Sequence, residues 1–205
     1  MLIFRRGNHL ERGLPVVSKL GSCQIDLDYT LAGDDRIEKV CPVWTRVARD
    51  RMGVRLEDEL VIGRPLWDFI NGGATLRLYD GLIWHTRKTG QRLSFRYRGD
   101  CPGAIRYMRM NITPGYGRRV NLRSELLYEQ PTHREVYFSH VTYRRCPSLV
   151  QCCVCNKLEH NGRWYTLGEI ADYTSLLDSL LPIEIGDTVC DSCQTKLERE
   201  VGVRL

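Results

Sequence analysis

The sequence predicts an α+β protein: a five-stranded antiparallel sheet with helices on one face, followed by a small C-terminal α/β module held by cysteines. Three observations predict it. Alternating apolar residues mark two strands, helical patterns follow, and three more strands come after; that order suits helices laid over one face of an antiparallel sheet. Six of the nine cysteines fall in the last third of the chain. Four of those six form two Cys-x-x-Cys pairs, Cys152 with Cys155 and Cys190 with Cys193.

Composition bounds the reading. A chain of 205 residues holds one domain, or one plus a small second. Its apolar and charged fractions, 42% and 27%, are those of a soluble globular protein. No apolar run reaches the roughly 18 residues that a spanning helix needs. The start, MLIFRRGNHLERGLPVV, lacks the basic-then-apolar order of a secretory signal, so a cytoplasmic location is expected. The formal charge of +5 is mild. Arg5–Arg6, Arg118–Arg119 and Arg144–Arg145 are isolated pairs rather than the stripe that nucleic acid attracts. An odd number of cysteines argues against a complete disulfide framework, and in a reducing compartment paired cysteines read as a metal site.

Residues 1–22 show no periodicity and read as an N-terminal extension. QIDLDY (24–29) alternates as a half-buried strand, AGDD (32–35) is a turn by composition, and RIEKV (36–40) completes a hairpin. Pro42 opens a short helix whose apolar face is Val43, Trp44, Val47 and Ala48. GRPLWDFI (63–70) is a short apolar segment, and Gly72–Gly73 break the chain before the longest helix, 74–89. There Ala74, Leu78 and Leu82, with Tyr79, Ile83 and Thr86, form a stripe, while Arg77, Asp80, Arg87 and Lys88 face away. Gly90 stops the helix. Leu93, Phe95 and Tyr97 alternate along the next strand, Met108, Met110 and Ile112 along the following one, and Val120, Leu122, Leu126 and Tyr128 along the last. GDCPG (99–103) and PGYG (114–117) are the turns between them. Residues 131–150, with Pro131 and Pro147, read as a linker, within which EVYFSHV (135–141) suits a strand or a crossing to a second protomer. The expected division is therefore extension 1–22, sheet domain 23–130, linker 131–150 and cysteine module 151–205.

The segments IDLDYTLAGDDRIEKVCPVWTRVA (25–48), VIGRPLWDFI (61–70), RKTG (87–90) and FRYRGDCPGAIRYMRMNITP (95–114) carry a resemblance. Across about 24–130 the chain resembles the PAS-domain superfamily, in particular stand-alone bacterial PAS-like sensors. The resemblance implies a sheet whose concave face, with the helices, encloses a cavity for a small molecule, or a domain that serves dimerisation. Trp44, Trp67, His85, Met108 and Met110 are the cavity candidates, with Trp84 beside them; core packing is the ordinary reading of such residues. His85, near the end of its helix, suits a charge or capping role there, with haem ligation as the sharper alternative. PAS-like sensors regulate an output protein, and this chain holds no kinase, cyclase or DNA-binding module. A homodimer that signals by protein contact is expected.

QCCVCNK (151–157) and VCDSC (189–193) bring the strongest chemistry. Zinc takes four tetrahedral ligands with Zn–S near 2.3 Å, and each Cys-x-x-Cys turn aims two thiolates at one ion. Cys153 competes with Cys152; the longer Cys152–Cys155 loop is the ordinary one, leaving Cys146 and Cys153 as spare thiols. In the spacer, HNGRWY (160–165) has a hairpin turn at Asn161–Gly162, and Thr166 with Glu169 forms a capping box. Leu167, Ile170, Thr174, Leu177 and Leu181 continue a helical stripe up to Pro182, and QTKLEREV after Cys193 reads as a second short helix. The arrangement resembles a treble-clef or ribbon-like zinc site. A reduced thiol cluster and a disulfide pair are the alternatives; iron–sulfur runs are more tightly spaced.

Four cysteines close the metal shell, and no Gly-rich phosphate loop, Ser/His/Asp motif or HExxH occurs, so no enzyme is expected. The expected function is non-catalytic sensing. One alternative is a nucleic-acid-binding regulator using Arg144, Arg145, Lys157, Arg163, Lys196 and Arg199 as one basic face. The other is a redox sensor that releases zinc when its thiols oxidise.

Overall fold

The structure, a computed structural model, describes residues 27–41, 61–70, 72–100, 103–132, 136, 138–140, 149–171 and 183–202. The extension 1–22, the helix opening at Pro42 with Trp44, the cysteines Cys23, Cys101 and Cys146, Arg144 and Arg145, and the helical positions Thr174, Leu177 and Leu181 lie outside the described residues.

Strands β1 (Leu27–Leu31) and β2 (Ile37–Val40) form the expected hairpin, reversing where Asp35 takes φ 68°. Short polar side chains tolerate that left-handed conformation. Helix α1 (Gly73–Thr89) follows a short 3-10 turn at Leu66–Phe69. It ends where Gly90 turns left-handed, at φ 70°, and donates its N–H to Thr86 O. Strands β3 (Leu93–Arg98), β4 (Ala104–Pro114) and β5 (Val120–Pro131) complete an antiparallel sheet of order β2-β1-β5-β4-β3. Its first and last strands therefore lie side by side, Leu27 facing Ser124 and Leu31 facing Val120.

The expected stripe of α1 is buried: Ala74, Leu78, Tyr79, Leu82, Ile83 and Thr86. Its apolar members belong to one cluster with Tyr29, Leu31, Phe95, Met110, Ile112 and Leu122 from the sheet. Each fully buried aliphatic or aromatic side chain there contributes about 1.5–3 kcal/mol. Asn111, also buried, sits between the inward Met110 and Ile112, and Arg92 donates to its Oδ1 at 3.1 Å.

The second half builds a sheet that the sequence reading did not contain. Strands β6 (Phe138–His140), β7 (Leu149–Cys152), β8 (Leu158–His160), β9 (Arg163–Tyr165) and β10 (Ile183–Thr188) take the order β6-β10-β7-β8-β9. β10 runs parallel to both β6 and β7, while β7, β8 and β9 pair antiparallel. Within the stretch read as a linker, β6 falls in 135–141, where a strand was one of the two readings, and β7 begins at Leu149. The hairpin turn is where it was expected, with Asn161 and Gly162 both at positive φ, 51° and 77°. Helix α2 (Leu167–Ala171) starts at the expected capping box: the Thr166 N–H and hydroxyl meet Glu169 Oε2 at 2.6 and 2.8 Å, and the Glu169 N–H returns to Thr166 Oγ1 at 3.3 Å. Helix α3 (Asp191–Val201) closes the described chain.

The two sheets share their core. Cys152, Cys153, Val154, Cys190, Cys193, Leu197 and Val201 belong to the same buried cluster as Tyr79 and Phe95. Arg98 at the end of β3 donates its N–H to Val154 O at 2.7 Å, and the Arg96 N–H reaches Glu200 Oε2 at 3.4 Å. A smaller cluster, Leu149, Leu158, Ile170, Ile183 and Ile185, fills the far side of the second sheet.

Candidate metal centre

β7 delivers Cys152 at its last residue, and the chain reverses through Cys153, Val154 and Cys155 into β8. Asn156 makes the reversal possible at φ 57°. Its N–H donates to Cys152 O at 2.9 Å, and the Cys152 N–H donates to Lys157 O at 2.8 Å. On the other side, Cys190 is the N-cap of α3 and Cys193 lies in its first turn. A helix N-terminus favours negative charge and so lowers the cost of a thiolate there.

These two turns bring all four sulfurs together. The Sγ atoms of Cys152, Cys155, Cys190 and Cys193 lie within 4.8 Å of one another, and Cys155 to Cys190 measures 3.9 Å. Tetrahedral coordination at 2.3 Å places sulfurs about 3.8 Å apart, while a disulfide needs about 2.05 Å. The set therefore has metal-site dimensions, and all four are free thiols. Cys152, Cys190 and Cys193 are buried and Cys155 is half-buried. Backbone donors supply part of the surrounding shell: the Cys190 N–H points at Cys152 Sγ at 3.4 Å, and the Lys157 N–H at Cys155 Sγ.

Without a cation the four thiols must share protons. Hydrogen bonds from Cys155 first, then Cys193, pull the Cys152 thiol far below the usual thiol range. The same bond to Cys152 pushes Cys155 up to about 12, and Cys193 rises for the same cause. A thiophilic divalent cation replaces those protons and neutralises the charge that the site otherwise resists. Four sulfurs leave no open position, which suits structure rather than catalysis.

The cluster contains Cys152, as the ordinary loop length suggests, and not Cys153. The Cys153 thiol is buried and meets the Thr75 hydroxyl, and burial is the main cause that pushes it up to about 11.

Of the described cavity candidates, Met108, Met110 and Trp67 lie in or against the core. Met110 is buried in the shared core and Met108 is buried on the same strand. Trp67 packs against that core and donates from Nε1 to Asp35 Oδ2 at 3.1 Å. His85 is half-buried, and its Nε2 is shielded without a hydrogen-bond partner among the described residues. Trp84 is 57% exposed, with Lys88 Nζ 4.5 Å above its ring. Tyr29 and Tyr79 are buried in the core that α1 shares with the sheet, and Tyr97 packs against it; burial raises all three phenols, Tyr97 to about 12 despite its bond to Ser124. The surface of the described residues includes two open clefts. One, of about 540 Å³, lies between the C-terminal half of α1 and the two strand turns, near Asp35, Trp84, Arg87 and Arg118. The other, of about 530 Å³, lies across β1, β4 and β5, near Lys39, Arg92, Asn111 and Asn121. Neither is lined by Trp67, His85, Met108 or Met110.

Fold and site together define an α+β chain with a five-stranded antiparallel sheet and a four-cysteine cluster compatible with metal. No protein-family model matches the chain, and no curated protein does. No helix among the described residues is long and apolar enough to cross a membrane.

Proposed function

We propose that the chain is a non-catalytic sensory protein in which a PAS-like domain, for ligand binding or dimerisation, is joined to a structural zinc module. It acts as a homodimer and signals by protein contact. The observation that carries this reading is the convergence of Cys152, Cys155, Cys190 and Cys193 to within 4.8 Å. Zinc suits the site because it accepts four thiolates tetrahedrally and has no redox chemistry of its own. A knuckle after β7, the β8–β9 hairpin and a ligand pair at the start of α3 support the treble-clef comparison. The PAS-like reading is supported by five antiparallel strands, with α1, which follows the second strand along the chain, packed on one face.

Native mass spectrometry of the reduced, full-length chain tests it. The expected result is a dimer carrying about one zinc per chain. The double variant Cys152→Ser/Cys190→Ser is expected to lose the zinc. A folded, reduced wild-type chain that takes up no metal from a zinc-supplemented buffer defeats the reading.

A further inference from the structure

The N-cap of helix α1 is Gly72, which has no side chain to cap the first turn. The cap comes from 112 positions further along the chain. Asp187, on β10, accepts the Thr75 N–H at 2.8 Å and the Thr75 hydroxyl at 3.1 Å, both on Oδ2. Thr75 is the third helical residue, whose N–H is a usual target of an N-cap oxygen. Gly72 is fitted to this contact in two ways. Its φ of 98° is one that side chains avoid, and a Cβ there would fall on the Asp187 carboxylate.

Asp187 is also tied to the cysteine cluster from both sides. Three residues on, the same segment becomes Cys190. β10 pairs with β7 through Asp187 opposite Gln151 and Thr188 opposite Cys152. The Cys153 N–H donates to Thr188 O at 2.8 Å. The Thr75 hydroxyl, besides meeting Asp187, meets the Cys153 thiol. Each contact that places the Asp187 carboxylate thus lies within a few residues of a sulfur in the cluster.

We propose that Asp187 is a relay: metal occupancy of the four-cysteine centre sets the order of the first turn of α1. The inference rests on the reading that the centre binds metal. A bound ion fixes Cys152 and Cys190 relative to each other, and so fixes β10 against β7. That register puts Asp187 over the N-terminus of α1. Removing the ion takes away the atom that joins Cys190 to Cys152, and the segment from Asp187 to Cys190 loses that anchor. The first turn of α1 then loses the acceptor for its Thr75 N–H, whereas the far end, held by Gly90 and Arg87, keeps its own contacts. The centre would report metal supply to the helix that covers the first sheet.

Hydrogen exchange on the full-length reduced protein, with zinc content measured in parallel, tests the relay. In the zinc-loaded wild type the amides of residues 74–77 are expected to exchange slowly. Chelation should speed them about tenfold more than it speeds the β4–β5 amides, which report the stability of the whole chain. Asp187→Ala should keep its zinc, exchange fast at residues 74–77 from the start, and respond little to chelator. Asp187→Asn, whose amide oxygen can still cap, should fall between. Unchanged exchange at residues 74–77 when bound zinc is removed, or slow exchange in zinc-loaded Asp187→Ala, overturns the relay alone. So does chelation that speeds α1 and β4–β5 equally. No zinc uptake by the wild type overturns the metal reading, and the relay with it.

Discussion

On α1, Arg87 reaches two separate turns directly and a third element through Asp35. Its guanidinium donates to Asp35 Oδ1 at 2.5 Å, to Ala32 O at 2.7 Å and to Arg118 O at 3.0 Å, and its side chain is only 11% exposed. Asp35 in turn accepts from Trp67 Nε1, and its carbonyl takes the Leu66 N–H. One side chain therefore ties the helix end to the β1–β2 turn, the 3-10 turn and the β4–β5 turn. Arg87→Ala leaves a part-buried carboxylate without its cation, and should destabilise the fold by about 2 kcal/mol. A lower urea midpoint at unchanged slope is the expected readout. Helical spacing correctly puts Arg87 off the apolar stripe, but spacing alone does not separate a solvated arginine from a bridging one. The partners come from turns far away in sequence. Asp187 was missed for the same reason, since its target lies in another sheet's helix.

At the level of elements, legibility follows range. The stripe of α1, its glycine stop, the Asn161–Gly162 turn and the capping box all depend on residues within a few positions of each other, and all were readable. Helix α2 offers a test of that local chemistry. Thr166→Ala removes the hydroxyl that exchanges hydrogen bonds with Glu169, and should shorten α2, seen as faster amide exchange at residues 168–171. The Thr166 N–H, first, and then its hydroxyl hold the Glu169 carboxyl below its ordinary range. A depressed carboxyl contributes stability above its unfolded pKa and loses it as pH falls through the folded one. Protection of α2 should therefore fade only below the usual glutamate range, and Thr166→Ala should move that fading to higher pH. The parallel strands were not readable in this way. Ile183 and Ile185 alternate too briefly to announce β10, and its partners β6 and β7 are more than thirty positions away. Pairing at that distance is decided by the whole sheet, not by a local word.

Across the molecule, the cysteine cluster sits at the seam of one continuous core, not at the end of a tether. Composition shows two regions, one poor and one rich in cysteine, but cannot show that they share buried side chains. Unfolding of the zinc-loaded chain should accordingly be a single transition. Zinc at a hundredfold excess over its Kd adds about 2.7 kcal/mol, which for a chain of this size raises Tm by on the order of 5–10 °C. Protons compete with metal for thiolates, so this increment should shrink as pH falls and vanish once the metal is released. Calorimetry with and without zinc, repeated at decreasing pH, checks both statements.

The docking of Val154 and Glu200 onto β3 has one more effect. A strand at the margin of a sheet offers a row of unused amides to any other extended chain. Here Val154 O takes the N–H of Arg98, and Glu200 Oε2 takes that of Arg96. The cysteine-rich half thus serves as a guard along that margin. Chains stripped of their ion should lose the guard and stick to one another through β3, clouding the solution before the sheet itself melts.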